Sequence, residues 1–166
     1  MRKLGKKAVA RVLIVVPFLL ILYILQGMVF THMPLWGVKP LLLPLAVAGV
    51  ALFDGAFVGG IFGIFAGMLC DMSFNQPTIA FTLILTFLGI WLGFLAETLL
   101  VRGFPSYLFL SFSTLLICSL GQMFPLMFMH GVPFGPLFDT AIRQILYSLV
   151  FAIPMYYLTR FVSRVL

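Results

Sequence analysis

Four carboxylates punctuate a chain of 166 residues: Asp54, Asp71, Glu97 and Asp139. Acid–base work needs such groups beside a partner, so their neighbours come first. Asp139 and Arg143 are four residues apart, which places them one helical turn from each other and predicts an i,i+4 ion pair. Glu97 has Arg102 five residues on, and a structural pairing is expected there as well. The histidines, His32 and His130, are isolated and fall in expected outer loops. The cysteines, Cys70 and Cys118, both lie inside apolar runs, without metal-ligand spacing or a disulfide framework, and read as small hydrophobes. No H-E-x-x-H, G-x-S-x-G, Walker A or G-x-G-x-x-G pattern occurs. Serines and threonines sit mostly within apolar runs without an evident base. Neither a catalytic set nor a cofactor or metal site is expected.

The stretch with the strongest pattern is "DGAFVGGIFGIFAGMLCD", residues 54–71. Gly55, Gly59, Gly63 and Gly67 recur every fourth residue and so share one slowly drifting helix face, with Gly60 widening it. Such a face lets another helix approach closely, and in lipid that van der Waals contact carries association. The approaching helix belongs either to this chain or to a partner. Asp54, at the start of this helix, is placed to cap its free N–H groups. Asp71 is at the other end, where the helix dipole disfavours an anion. It is either a solvated acid of the following turn "SFNQPT", the residue that starts that turn through its side chain, or a contact for a cation or partner. Gln26, Gln122 and Gln144 lie within or beside apolar runs and are expected to hydrogen-bond between helices.

The elements that must position these residues are set by composition. The chain is 63% hydrophobic and 8% charged, with a mean hydropathy of +1.23, too little charge for the surface of a soluble domain. The expected class is an all-α, polytopic membrane protein forming one transmembrane domain over residues 1–166. The apolar segments are long runs, not the alternating ten-residue segments of a β-barrel. Apolar runs occur at about 12–31, 40–53, 55–70, 79–101, 105–129 and 137–161. Runs two and three are short, but joined they would make a helix of about 46 Å, too long for a core of about 30 Å. Six spans are therefore expected, with a tight break at Asp54-Gly55 making a short hairpin of spans two and three that is tilted, re-entrant or sheltered by protein.

Charge placement agrees with an even number. Arg2, Lys3, Lys6, Lys7 and Arg11 precede the first span, and Arg160 and Arg164 close the last, so both ends are expected in the cytoplasm. The formal charge of +6 then reflects topology, and nucleic acid is not an expected partner. The first apolar run is too long for a signal peptide and reads as an uncleaved span.

The region 22–75 carries a resemblance. The first span ends in "LQGMVF" and is followed by "LWGVKPLLLPLAVAGVALFDGAFVGGIFGIFAGMLCDM". A Gln near the end of helix one, Gly-hydrophobic-Lys-Pro followed by leucines, and a glycine-bearing helix ending in Leu-x-Asp resemble the rod-shape-determining MreD family of the bacterial inner membrane. Many members have an acid soon after the Pro, where this chain has leucines and Pro44. The resemblance implies a small non-enzymatic scaffold or regulatory subunit of the cell-elongation machinery. It would bind the single-span protein MreC and help organise peptidoglycan synthesis by the RodA glycosyltransferase and its transpeptidase. The implied fold resembles the six-helix S components of energy-coupling-factor vitamin transporters. An S component is accordingly the alternative function, but its Ala-x-x-x-Ala docking pattern is missing: Ala8 and Ala10 are only two apart.

Overall fold

The computed structural model describes residues 17–29, 40–73, 79–98, 103–130 and 134–165, and side-chain placements within most of them. The basic residues from Arg2 to Arg11, His32, Lys39, Arg102 and the turn 74–78 lie outside the described residues, as does the expected Glu97–Arg102 pairing. All the regular structure described is helical. The first helix, α1, covers Pro17–Gly27 and runs out in a π-helical turn, Leu25–Val29. It is followed by α2 (Leu42–Asp54), α3 (Ala56–Ser73), α4 (Ala80–Thr98), α5 (Phe104–His130) and α6 (Phe134–Val165).

Among the described residues, three stretches are long and apolar enough to cross a membrane: Ala80–Thr98, Phe104–Gln122 and Gly135–Arg164. The described parts of α1, α2 and α3 are shorter apolar segments. At ~1.5 Å per residue, α2 is about 20 Å long and α6 about 48 Å, so the two cannot share the same depth range. Pro136 in the first turn of α6 lets the helix begin before the apolar run does, because a first-turn N–H needs no helical acceptor. Pro154, inside α6, removes one rung of its hydrogen-bond ladder.

The core is built around α2. Every residue from Leu42 to Leu52 is buried, with α3, α4, α5 and α6 packed around it. A helix that is apolar all round has to be enclosed in this way, or lie in lipid. α2 and α6 lie side by side and run in the same direction: Leu41 meets Ser148, and Gly49 meets Thr159. A methyl on Gly49 would come within 2.7 Å of the Thr159 hydroxyl oxygen, so the contact depends on glycine. α1 is tied in by the stacked rings of Phe18 and Phe62, whose centroids are 6.5 Å apart. The Tyr107 hydroxyl of α5 donates to the Leu45 carbonyl of α2 at 3.3 Å.

α2 ends at Asp54, and the chain turns at Gly55 before α3 begins. Gly55 has φ 87°, in the left-handed region that a side chain makes costly. This single residue separates two helices that the hydropathy pattern alone would run together.

Candidate functional site

The glycine ladder faces inward. α3 and α4 form an antiparallel hairpin, the most extensive helix pairing among the described residues. A methyl on Gly59 would meet the Gly89 carbonyl oxygen at 2.8 Å, one on Gly63 the Thr86 Cα at 3.0 Å, and one on Gly67 the Phe81 carbonyl oxygen at 2.9 Å. All three obstacles are backbone atoms, which cannot swing aside. α4 answers with its own pair, Gly89 and Gly93, packed on Gly59 and on Gly55–Ala56. Of the two openings left by the sequence, a helix of this chain or of a partner, the face from Gly59 to Gly67 is filled by this chain. Gly60 differs, since only the Ile90 side chain lies over it.

Each end of the hairpin is closed by a carboxylate from the opposite helix. Asp71, in the last turn of α3, accepts the Phe81 N–H through Oδ1 at 3.0 Å. Its Oδ2 takes the Thr82 N–H at 3.0 Å and the Thr82 hydroxyl at 2.6 Å. The two N–H groups are first-turn donors of α4 and have no backbone acceptor within it. At the other end Glu97, in the last turn of α4, accepts the Ala56 N–H, the first of α3, at 3.1 Å. An acid at a helix C-terminus is disfavoured by its own dipole, but in an antiparallel pair it lies beside the positive end of the neighbour. The acceptor of the Ala56 N–H is thus Glu97, 41 residues away. Asp54 itself lies in the last turn of α2 and is engaged in a contact of its own.

The same device serves α2. No side chain at its start caps it locally. The Leu41 N–H donates instead to Ser148 Oγ of α6 at 3.0 Å, and the Leu43 N–H to Gln26 Oε1 of α1 at 3.3 Å. Pro44, next in line, has no N–H to satisfy. Ser148 is 14 residues into α6, so α2 begins at about mid-height of the longest described helix. Buried there, an unmade hydrogen bond is expensive, which is why Gln26, Ser148 and the leucine backbone come together.

Comparison with known proteins returns no matching family model, no similar curated protein and no similar solved structure.

The remaining polar residues fall elsewhere. Arg143 Nη2 lies 2.6 Å from Asp139 Oδ2 on an exposed face of α6, apart from the hairpin. Gln144 is buried in the same helix. Cys70 and Cys118 are buried free thiols. Among the described residues no group of three metal-ligating side chains comes together. Between α5 and α6 a groove of about 420 Å³ is lined by apolar side chains, including Phe112, Leu116, Phe138 and Ile145, with Ser119 as its polar residue.

Sequence reasoning missed Glu97 as a cap, and Gly89 and Gly93 as the other half of the packed face. The signals were present. "LGIWLG" repeats the spacing of four, and Glu97 shares with Asp71 the anomaly of an acid at a helix's C-terminal end.

Proposed function

We propose that this chain is a multi-pass protein of the bacterial cytoplasmic membrane, with six membrane segments and both termini in the cytoplasm, and that it acts without catalysis by binding other membrane proteins. α2 is the sheltered member of the six, enclosed by the others and not by lipid. The specific role is that of an MreD-like scaffold of cell elongation, engaging a single-span MreC-like protein and the RodA-like glycosyltransferase with its transpeptidase, and so controlling rod shape.

One observation carries the reading. The polar side chains at helix ends are spent on the chain's own backbone, and the outer surface of the hairpin is left large and apolar. Gln26, Asp71, Glu97 and Ser148 each hold an N–H of another helix. Outward lie Phe57, Phe65, Met68, Phe87, Trp91 and Phe94, all exposed. That division suits lipid and partner helices, where packing carries recognition. Two of these polar positions, Gln26 and Asp71, fall within the stretch that resembles the family. A vitamin-binding S component would need convergent polar groups in a pocket, and the groove between α5 and α6 offers Ser119 among its lining residues.

A tagged chain purified in mild detergent, with mass spectrometry of proteins and small molecules, tests this. Recovery of a single-span coiled-coil protein with cell-wall synthases is the expected outcome. Recovery of an ATPase module or a bound vitamin would overturn the scaffold reading in favour of a transporter.

A further inference from the structure

The C-terminal half of α6 carries a groove that neither the caps nor the glycine face uses. Its volume is about 710 Å³, and Pro154, Tyr157, Leu158, Arg160, Phe161 and Arg164 line it. These residues are spaced three and four apart and form one stripe on the outside of the helix. Tyr157 is 64% exposed and Phe161 66% exposed. Along the helix axis Pro154, Tyr157 and Leu158 come first, Arg160 and Phe161 lie next to each other, and Arg164 comes last.

Arg164, in the last turn, is favoured there by the helix dipole. Arg160 is a full turn earlier, four residues from a like charge, an arrangement that is repulsive on a helix until an anion intervenes. Residues 140–166 contain no acid to do so. Arg160 is nevertheless held in place. Its Nη1 donates to the Tyr156 hydroxyl at 3.3 Å, and its guanidinium carbon lies 5.8 Å from the centre of that ring. Tyr156 is itself locked among Phe53, Phe104 and Tyr107. One cation is thus positioned by an aromatic cluster, with one hydrogen bond to Tyr156 from a fork that carries five donors.

We propose that this groove binds one anionic phospholipid of the cytoplasmic leaflet. Its phosphate is held between Arg160 and Arg164, and an acyl chain lies along Pro154, Leu158 and Phe161. The inference rests on the membrane placement proposed above. Charge complementarity selects an anionic headgroup, basic pockets at the cytoplasmic side being suited to such lipids. The apolar lining that Pro154, Leu158 and Phe161 set beside the cations selects a lipid over a soluble anion.

The test is to reconstitute the full chain into nanodiscs of phosphatidylcholine containing a minority of phosphatidylglycerol, and to count retained lipids by native mass spectrometry. The wild-type chain should keep phosphatidylglycerol several-fold above its bulk proportion. The R160Q/R164Q variant should lose that enrichment, and R160K/R164K should keep part of it, while all three melt alike in pure phosphatidylcholine. Equal enrichment in R160Q/R164Q, or none in the wild type, would overturn the site. A chain that does not enter phosphatidylcholine discs at all would overturn the membrane placement along with it.

Discussion

Asp71 holds Thr82 twice through a single oxygen: Oδ2 accepts both the backbone N–H and the side-chain hydroxyl of that residue. With Phe81 bonded to the other oxygen, the carboxylate closes the start of α4 from the end of α3. The hairpin is therefore latched at the end where α3 leads into α4, by a carboxylate with three donors.

Removing that latch should be costly. Asp71→Ala leaves the Phe81 and Thr82 donors without their acceptor, and about 1.5–3 kcal/mol of stability should be lost, the range for hydrogen bonds to charged groups. Asp71→Asn keeps one acceptor oxygen and should lose less. Thermal melting in detergent, with near-normal helix content by circular dichroism, is the check.

Thr82→Val isolates the hydroxyl. It should cost roughly 0.5–1.5 kcal/mol alone, and the double variant with Asp71→Ala should cost clearly less than the two single losses together. Simple additivity in the same melting assay would show that the 2.6 Å contact carries no coupling.

The glycines should separate into two classes. Alanine at Gly63 or Gly67 drives a methyl into backbone, and overpacking of this kind costs about 1–3 kcal/mol. Alanine at Gly60 meets the Ile90 side chain, which can rotate, and a helix propensity gain of about 1 kcal/mol offsets the strain. The Gly60 variant should therefore melt close to wild type, and the other two well below it.

At the opposite latch, Glu97→Ala should cost less than Asp71→Ala, about 0.5–1.5 kcal/mol, since one exposed hydrogen bond is lost there. Gly55→Ala should be worse than Glu97→Ala. It forces a side chain into the left-handed region, at about 1–2 kcal/mol, and displaces the Glu97 carboxylate as well.

Ser148→Ala leaves the Leu41 N–H buried without its acceptor, which predicts a loss of about 1–3 kcal/mol. The exposed pair is the control: Arg143→Ala should change stability by no more than about 0.5 kcal/mol.

What could be read from the sequence divides along a physical line. Periodicity is local, so the ladder from Gly55 to Gly67 and the runs of apolar residues were legible. What fills the ladder's face was not, because that depends on Gly89 and Gly93 arriving in register from the next helix. Asp71 was visible as an electrostatic anomaly, and the anomaly was a sound pointer. Its resolution needed the antiparallel neighbour whose positive end lies beside it. Capping logic looks a few residues along the chain, so it could not find Glu97, which meets the Ala56 N–H from 41 residues away. Gln26 was expected to bridge helices, but nothing in the sequence marks Leu43 as its partner or Ser148 as the residue beside it in that role.

The beginning of α2 at mid-height also sets an order of events during synthesis. The Leu41 N–H and its acceptor on Ser148 are 107 residues apart. At roughly 5–20 residues per second, about 5–20 seconds pass between the emergence of the two. Throughout that interval the innermost helix lacks the group that closes its first turn. The centre of the protein is made early and finished last, and a ribosome that stops before α6 releases a chain whose core helix has no lid.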